Sequence, residues 1–223
     1  MSRHSLAAVC GVLAATLSCA STARAEVPQK RGSIIISLER LVPVLSYAHD
    51  RAIDASTTTL TTGNPPGAYD VYNVARFGLD VLVAKHLSIG VATSMRIATG
   101  SPSNAPGDDP LVTLVAFSPR VGYFFAVAPE VGFWPRAGLT LSESFTRGYD
   151  DAGLRFSETR RDMAASFDVA IVASPIRVLG VVLGIGTNLP LAGWASRTDG
   201  GITKTGSATH ADLAISGGFL AHF

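Results

Sequence analysis

The sequence predicts an all-β fold, an eight-stranded antiparallel transmembrane β-barrel, on three observations. An apolar leader opens the chain, and beyond it apolar and polar residues alternate with the period of a strand. The connections between the alternating segments are strictly long and short in turn, which is how barrels with tight turns on one side of a membrane and longer loops on the other are organised.

The leader comes first. Residues 1–25 run from a basic start with Arg3 and His4, through an apolar stretch from Leu6 to Leu17, to Ala23 and Ala25 before Glu26, the pattern of a signal peptide with a small-x-small cleavage site. The apolar run is short for a spanning helix of about 20 residues and is softened by Ser, Thr and Gly. Cys19 raises the alternative of a lipid-modified N-terminus, a processing pattern that Thr16, Leu17 and Ser18 fit poorly. Cleavage after Ala25 removes Cys10 and Cys19, the chain's 2 cysteines, and so excludes disulfides, thiol catalysis and Cys-ligated zinc from residues 26–223. The full chain carries 18 Lys and Arg against 17 Asp and Glu. Losing Arg3 and Arg24 leaves 16 against 17, with no basic field to attract nucleic acid. With 47% hydrophobic and 16% charged residues, the chain is not a disordered polar one.

Eight segments follow, at 33–47, 70–84, 87–98, 111–126, 131–146, 161–173, 178–194 and 208–223. In the last, Ala211, Leu213, Ile215, Gly217, Phe219, Ala221 and Phe223 share one face, with Leu220 an exception on the other. Long polar connections at 48–69, 99–110, 147–160 and 195–207 take turns with short ones near 85, 128 and 175. Eight strands share 223 minus 25, or 198, residues at about 25 each, whereas sixteen would leave too few for a membrane strand of about 10 residues plus a loop. The barrel is expected to fill residues 26–223, with no second domain.

An eight-stranded barrel has an interior just wide enough for side chains. By parity, the inward faces carry Arg76, Arg96, Arg120 and Arg136 against Asp80, Asp168 and Asp212, with Glu39 and Arg40 added from the first strand. Near balance of sign predicts a salt-bridged plug rather than a selectivity filter. In the first strand the apolar parity switches between Leu38 and Leu41, so a bulge is expected at Glu39 and Arg40. Gly180, Gly184 and Gly186 are expected to leave room for the long arginines, while Pro43, Pro119, Pro135 and Pro190 each remove a ladder donor. Tyr123, Phe125, Phe133, Phe219 and Phe223 lie beside the short turns, and Tyr47, Tyr69, Phe145 and Trp194 beside the long loops, as interfacial girdles require.

No catalytic motif accompanies this pattern. His49, His86, His210 and His222 are scattered, none stands in an H-E-x-x-H arrangement, and neither a G-x-S-x-G nor a P-loop sequence occurs. His210 and Asp212 share a strand face but lack a third partner, so no metal, cofactor or catalytic site is expected.

The leader, the eight segments and the ending Ser216, Gly218, Ala221, Phe223 resemble the small outer-membrane barrel families typified by OmpA and OmpX. The resemblance implies a Gram-negative outer-membrane protein inserted by the barrel-assembly machinery, with Gly218, Phe219, Ala221 and Phe223 as its C-terminal insertion signal, and it implies no catalytic site. The expected role is structural and interactive: a monomer whose four long loops meet surface partners, membrane lipid or lipopolysaccharide. A narrow, porin-like passive pore for small solutes is the alternative. A lipid-modifying barrel enzyme is a third, against which stands the lack of the His-x-Ser-Asn stretch associated with lipid A deacylases.

Overall fold

Alternation of this kind can satisfy every backbone group in lipid only if the last strand returns to the first. The computed structural model describes residues 27–28, 30–51, 53, 56–62, 74–99, 111–149, 153–176 and 178–223; the leader with its cysteines, Tyr69 and most of the connection at 99–110 lie outside them. Eleven strands occur among the described residues: β1 (Ile34–Arg51), β2 (Ser56–Thr62), β3 (Arg76–Ala84), β4 (Leu87–Thr99), β5 (Leu111–Tyr123), β6 (Phe125–Ala128), β7 (Val131–Tyr149), β8 (Arg155–Ile176), β9 (Leu179–Asp199), β10 (Ile202–Ser207) and β11 (Thr209–His222). Pairing runs β1 to β3, β4, β5, β7, β8, β9, β11 and back to β1, antiparallel throughout, which makes an eight-stranded barrel. The ring closes through β1 and β11, in register from Ile35 with His222 to Arg51 with Thr209. An open edge there would leave donors and acceptors unsatisfied in hydrocarbon at several kcal/mol each.

β6 continues β5 past Phe124, while β2 and β10 are outer extensions that pair only with β1 and β9. Parts of the connections expected at 48–69, 147–160 and 195–207 are therefore strand. The apolar alternation ends where the lipid ends, but the hydrogen-bond ladder continues, supported by β-branched residues such as Thr57, Thr58 and Thr59.

The outward face carries a broad apolar band. Ile34, Ile36, Leu38, Phe77, Leu79, Ile89, Phe117, Leu141, Ile171 and Leu213 are all exposed, a band that only lipid can cover. Tyr123, Phe125, Phe133, Phe219 and Phe223 are exposed beside the short turns, and Tyr47, Phe145 and Trp194 near the long-loop end. Leu220, the exception to its strand's alternation, points inward and is buried.

Each proline sits where the ladder is already relaxed. Pro43 and Pro190 lie at register shifts, and Pro119 and Pro135 fall in the gaps of the β5–β7 register, where neither has a partner. The bulge expected at Glu39 and Arg40 is present: the β1–β11 register slips between Leu38 and Val42, and Arg40 adopts φ 61°. Two consecutive side chains thereby enter the lumen, and both are buried.

Closure is directly testable. Ile36 and Ala221 are directly opposed across β1 and β11, at the spacing of about 5.5 Å between Cα atoms that suits a disulfide. Ile36→Cys with Ala221→Cys, refolded without residues 1–25, should oxidise to a chain that runs faster on a denaturing gel until reduced. A mobility indifferent to reductant would argue that β11 is not the closing strand.

Candidate functional site

Lumen side chains stack in three layers. At the short-turn end, Ile35, Phe124, Trp134, Ala170, Val172, Val182 and Leu220 form an apolar cluster, joined by Val27 from the lead-in segment. Val27 is held there by its backbone N–H donating to the Pro129 carbonyl at 2.8 Å. Trp134 belongs to two layers: its ring lies 6.0 Å from Phe124, its Nε1–H donates to Ser88 Oγ at 3.1 Å, and its face lies 4.5 Å below the Arg136 guanidinium.

The middle layer is ionic. Glu39, delivered by the bulge in β1, accepts from Arg76 on β3 at 2.5 Å, Arg120 on β5 at 2.9 Å and Arg136 on β7 at 2.5 Å. Ser37 Oγ–H donates to the same carboxylate at 2.7 Å. Asp80 takes Arg120 at 2.5 Å, and Asp168 takes Arg76 at 2.8 Å with Arg40 and Arg136 at 3.7 and 3.8 Å. Four guanidiniums thus meet three carboxylates, all buried, and the aromatic face of Trp134 lies against the surplus positive charge.

Room for these long side chains comes from glycines opposite them. A Cβ at Gly78 would stand 2.5 Å from Arg120 Nη2, and one at Gly122 would stand 2.6 Å from Trp134 Nε1. The expectation for Gly180 and Gly184, on β9, is corrected accordingly. Gly180 abuts Ser174 and Leu220 in the apolar layer, and at Gly184 a Cβ would make only ordinary contact at 3.4 Å with the Val169 carbonyl. The space bordered by Glu39, Arg40, Arg76, Arg136, Asp168 and Gly184 is about 10 Å³, room for one water at most.

A third layer lies towards the long loops. Asp212 stands here rather than in the middle layer, accepting from Asn188 Nδ2 at 2.9 Å and facing His210 Nε2 at 3.1 Å. His210 Nδ1 faces Asp50 at 2.9 Å, and Arg160 joins Asp50 at 3.0 Å to Asp162 at 2.7 Å. Arg96 points inward on β4 but is only half-buried, one inward position beyond Ser94. Asp50 and Arg160 escape a reading of apolar alternation because they stand on strand extensions beyond the alternating segments, whereas Asp162 lies at the outer end of the expected segment 161–173.

Both ring nitrogens of His210 face carboxylates, so the ring must donate twice and is an imidazolium. Asp50 and His210 are directly opposed in the β1–β11 register, beyond the last lipid-facing pair, Tyr47 with Leu213, and so lie outside the membrane-spanning part. Burial works against the charged ring, but hydrogen bonds to Asp212 and Asp50 and the charges of both push its pKa up to about 10. Among the described residues no group of three or more His, Cys, Asp and Glu is placed to hold a metal ion.

No family model matches the chain, and no curated protein does. Among solved structures it is similar to Ail, the attachment invasion locus protein of Yersinia pestis, at 11% identity and TM-score 0.44 over 87% of this chain and 100% of that one. It is similar to Neisserial surface protein A at 13% identity and TM-score 0.43, covering 86% of this chain and 100% of that one. It is also similar to the outer membrane protease OmpT of Escherichia coli at 9% identity and TM-score 0.41, covering 88% and 99%.

Removing one member of a buried ion network strands its partners at about 3–5 kcal/mol. Glu39→Ala should therefore lower thermal stability by far more than Glu143→Ala, whose partner Arg161 is exposed. Calorimetry of the two purified variants in detergent checks this, and equal losses would deny the ionic layer its part in stability.

The raised pKa of His210 has a signed consequence. Its contribution is complete below the ordinary histidine value of 6.5 and is lost as pH rises through about 10. Melting temperature should fall between pH 8 and pH 11 by more in the wild type than in His210→Asn, measured by circular dichroism at both pH values.

Proposed function

We propose that the chain is an integral protein of the bacterial outer membrane that works by display, with its lumen closed. One observation supports this reading: among the described residues, an apolar cluster, an ionic layer and a polar cluster succeed one another inside the ring. A path for solutes would have to displace Trp134 or open the contacts of Glu39 with three arginines, each removal costing several kcal/mol. The apolar band and aromatic girdles support a membrane setting, and residues 1–25 supply the cleavable export signal that the location requires.

An enzymatic role finds little support in the lumen. The nearest approach to a catalytic group is His210, and as an imidazolium held by Asp50 and Asp212 it has no nitrogen free to take a proton from a nucleophile. What remains for interaction is the outside: the four long connections, which present partners with a polar surface, and the lipid-facing wall, which meets membrane lipid and lipopolysaccharide. Gly218, Phe219, Ala221 and Phe223 serve insertion by the assembly machinery. Phe219 and Phe223 are exposed where the aromatic girdle belongs, while a Cβ at Gly218 would press on the bulge at 2.8 Å from the Glu39 Cα.

Purified protein in planar bilayers should show no steady conductance, and fractionated cells should hold it in the outer membrane with a heat-modifiable gel band. Stable openings of porin size would replace the display reading with the narrow-pore alternative.

A further inference from the structure

One stretch of the outward wall departs from plain lipid-facing character. Across β5, β7, β8 and β9 the registers align Val115, Glu143, Arg161 and Trp194 in a single row. Arg161 Nε lies 3.2 Å from Glu143, with the two side chains 65% and 55% exposed, so a charged pair stands on the lipid side of the barrel. A charge on that face costs about 2–4 kcal/mol at the bilayer centre and about 0–1 near an interface. The pair, level with Trp194, therefore marks the headgroup depth at the long-loop end.

Around the pair the surface is hollow. A groove of about 780 Å³ is lined by Glu143 and Arg161 themselves and runs from the row of Phe117, Leu141, Met163 and Ala192 below them to Phe145 above. Above the pair, sharing Phe145 with the groove, lies a second cavity of about 500 Å³ lined by Arg147, Arg155, Ser157 and Thr198. Arg147 Nε has no hydrogen-bond partner among the described residues. Among the described residues, this stretch of the outward face bears Arg147, Arg155 and Arg161 beside Glu143.

Accepting the outer-membrane reading above, we infer that this wall is a binding site for a phosphorylated, acylated saccharide lipid of the lipid A class. The groove takes acyl chains, Arg161 takes a phosphate at its rim, and Arg147 and Arg155 with the two hydroxyls take the saccharide and its remaining anionic groups. Spread of the cations distinguishes this occupant from a glycerophospholipid. Rows of Arg161 and Arg147 are four residues apart, about 13 Å along the strands, which a single phosphodiester headgroup does not bridge. Arginine is suited to both ends because its planar fork pairs bidentately with phosphate.

The test is native mass spectrometry of the full-length barrel in detergent, titrated separately with bis-phosphorylated lipid A, phosphatidylethanolamine and phosphatidylglycerol. Lipid A should be retained at lower concentration than either phospholipid. The double variant Arg147→Gln, Arg161→Gln should need at least tenfold more of it, while Lys85→Gln at the opposite end should behave as wild type. Trp194, at the rim, offers a readout that needs no variant: lipid A should shift the intrinsic fluorescence and phosphatidylglycerol should not. Equal retention of all three lipids, a double variant that binds normally, or a dimer that the double variant abolishes would each overturn the inference, the last by giving the face to a second copy. Location is read separately from cell fractions. Absence from the outer membrane would overturn the reading beneath, whereas correct location without lipid A preference would overturn only this site.

Discussion

The Glu39 carboxylate is the point on which the interior depends. An eight-stranded ring encloses a space that side chains must fill, and three arginines from β3, β5 and β7 reach across it to one acceptor. Regular alternation would send only one of two neighbouring residues inward. The bulge, with Arg40 at positive φ, brings both in, so that Glu39 meets its cations while Arg40 reaches Asp168. Ser37, Gly78 and Gly122 then follow as the residues that satisfy the carboxylate or make way for its partners.

Charges at this depth are tolerable because countercharges and hydrogen bonds offset the cost of taking them out of water. Trp134 joins the two kinds of layer. Its indole N–H is satisfied by Ser88, its ring packs with Phe124 on the apolar side, and its face supports Arg136 on the ionic side. Val27 completes the apolar end from outside the ring. The lead-in at the barrel mouth thus contributes to the apolar packing next to the ionic layer.

The barrel itself was legible because period-2 alternation and the long-short rhythm of connections both follow directly from lipid outside and a narrow lumen inside. Inward parity located Glu39, Arg76, Asp80, Arg120, Arg136 and Asp168 on one interior surface, and the parity switch after Leu38 marked the bulge. What parity could not supply was depth. Asp212 shares its face with Ser216 and Gly218 yet pairs four residues higher, with Asn188 and His210, because its height depends on strand tilt and register rather than on sequence spacing. Phe124 was hidden inside an apolar run although it keeps the inward parity of Arg120 and Gly122, and Leu220 looked like an error in alternation until the apolar layer explained it. The extensions above the lipid were invisible for a related reason. Once both faces are wet, apolar alternation is no longer required.

If display is the role, as proposed above, contact falls to the outer wall and its extensions, and these are not uniform around the ring. Two extensions, β2 against β1 and β10 against β9, build onto separate parts of the wall, and β7 and β8 stay paired as far as Tyr149 with Arg155. The β7–β9 side therefore rises above the apolar band as a continuous sheet whose inward face carries Glu158, Arg197 and Asp199, with Arg197 lying 4.5 Å over Phe156. Its outward face carries Arg147 and Arg155 instead. Strand geometry accounts for this division, since one ladder with a two-residue period can hold an ion-paired cluster on its inner face and arginines on its outer face without mixing them. The same alternation that keeps lipid and lumen apart lower in the barrel thus separates, above the membrane, a face of ion pairs from one that carries Arg147 and Arg155.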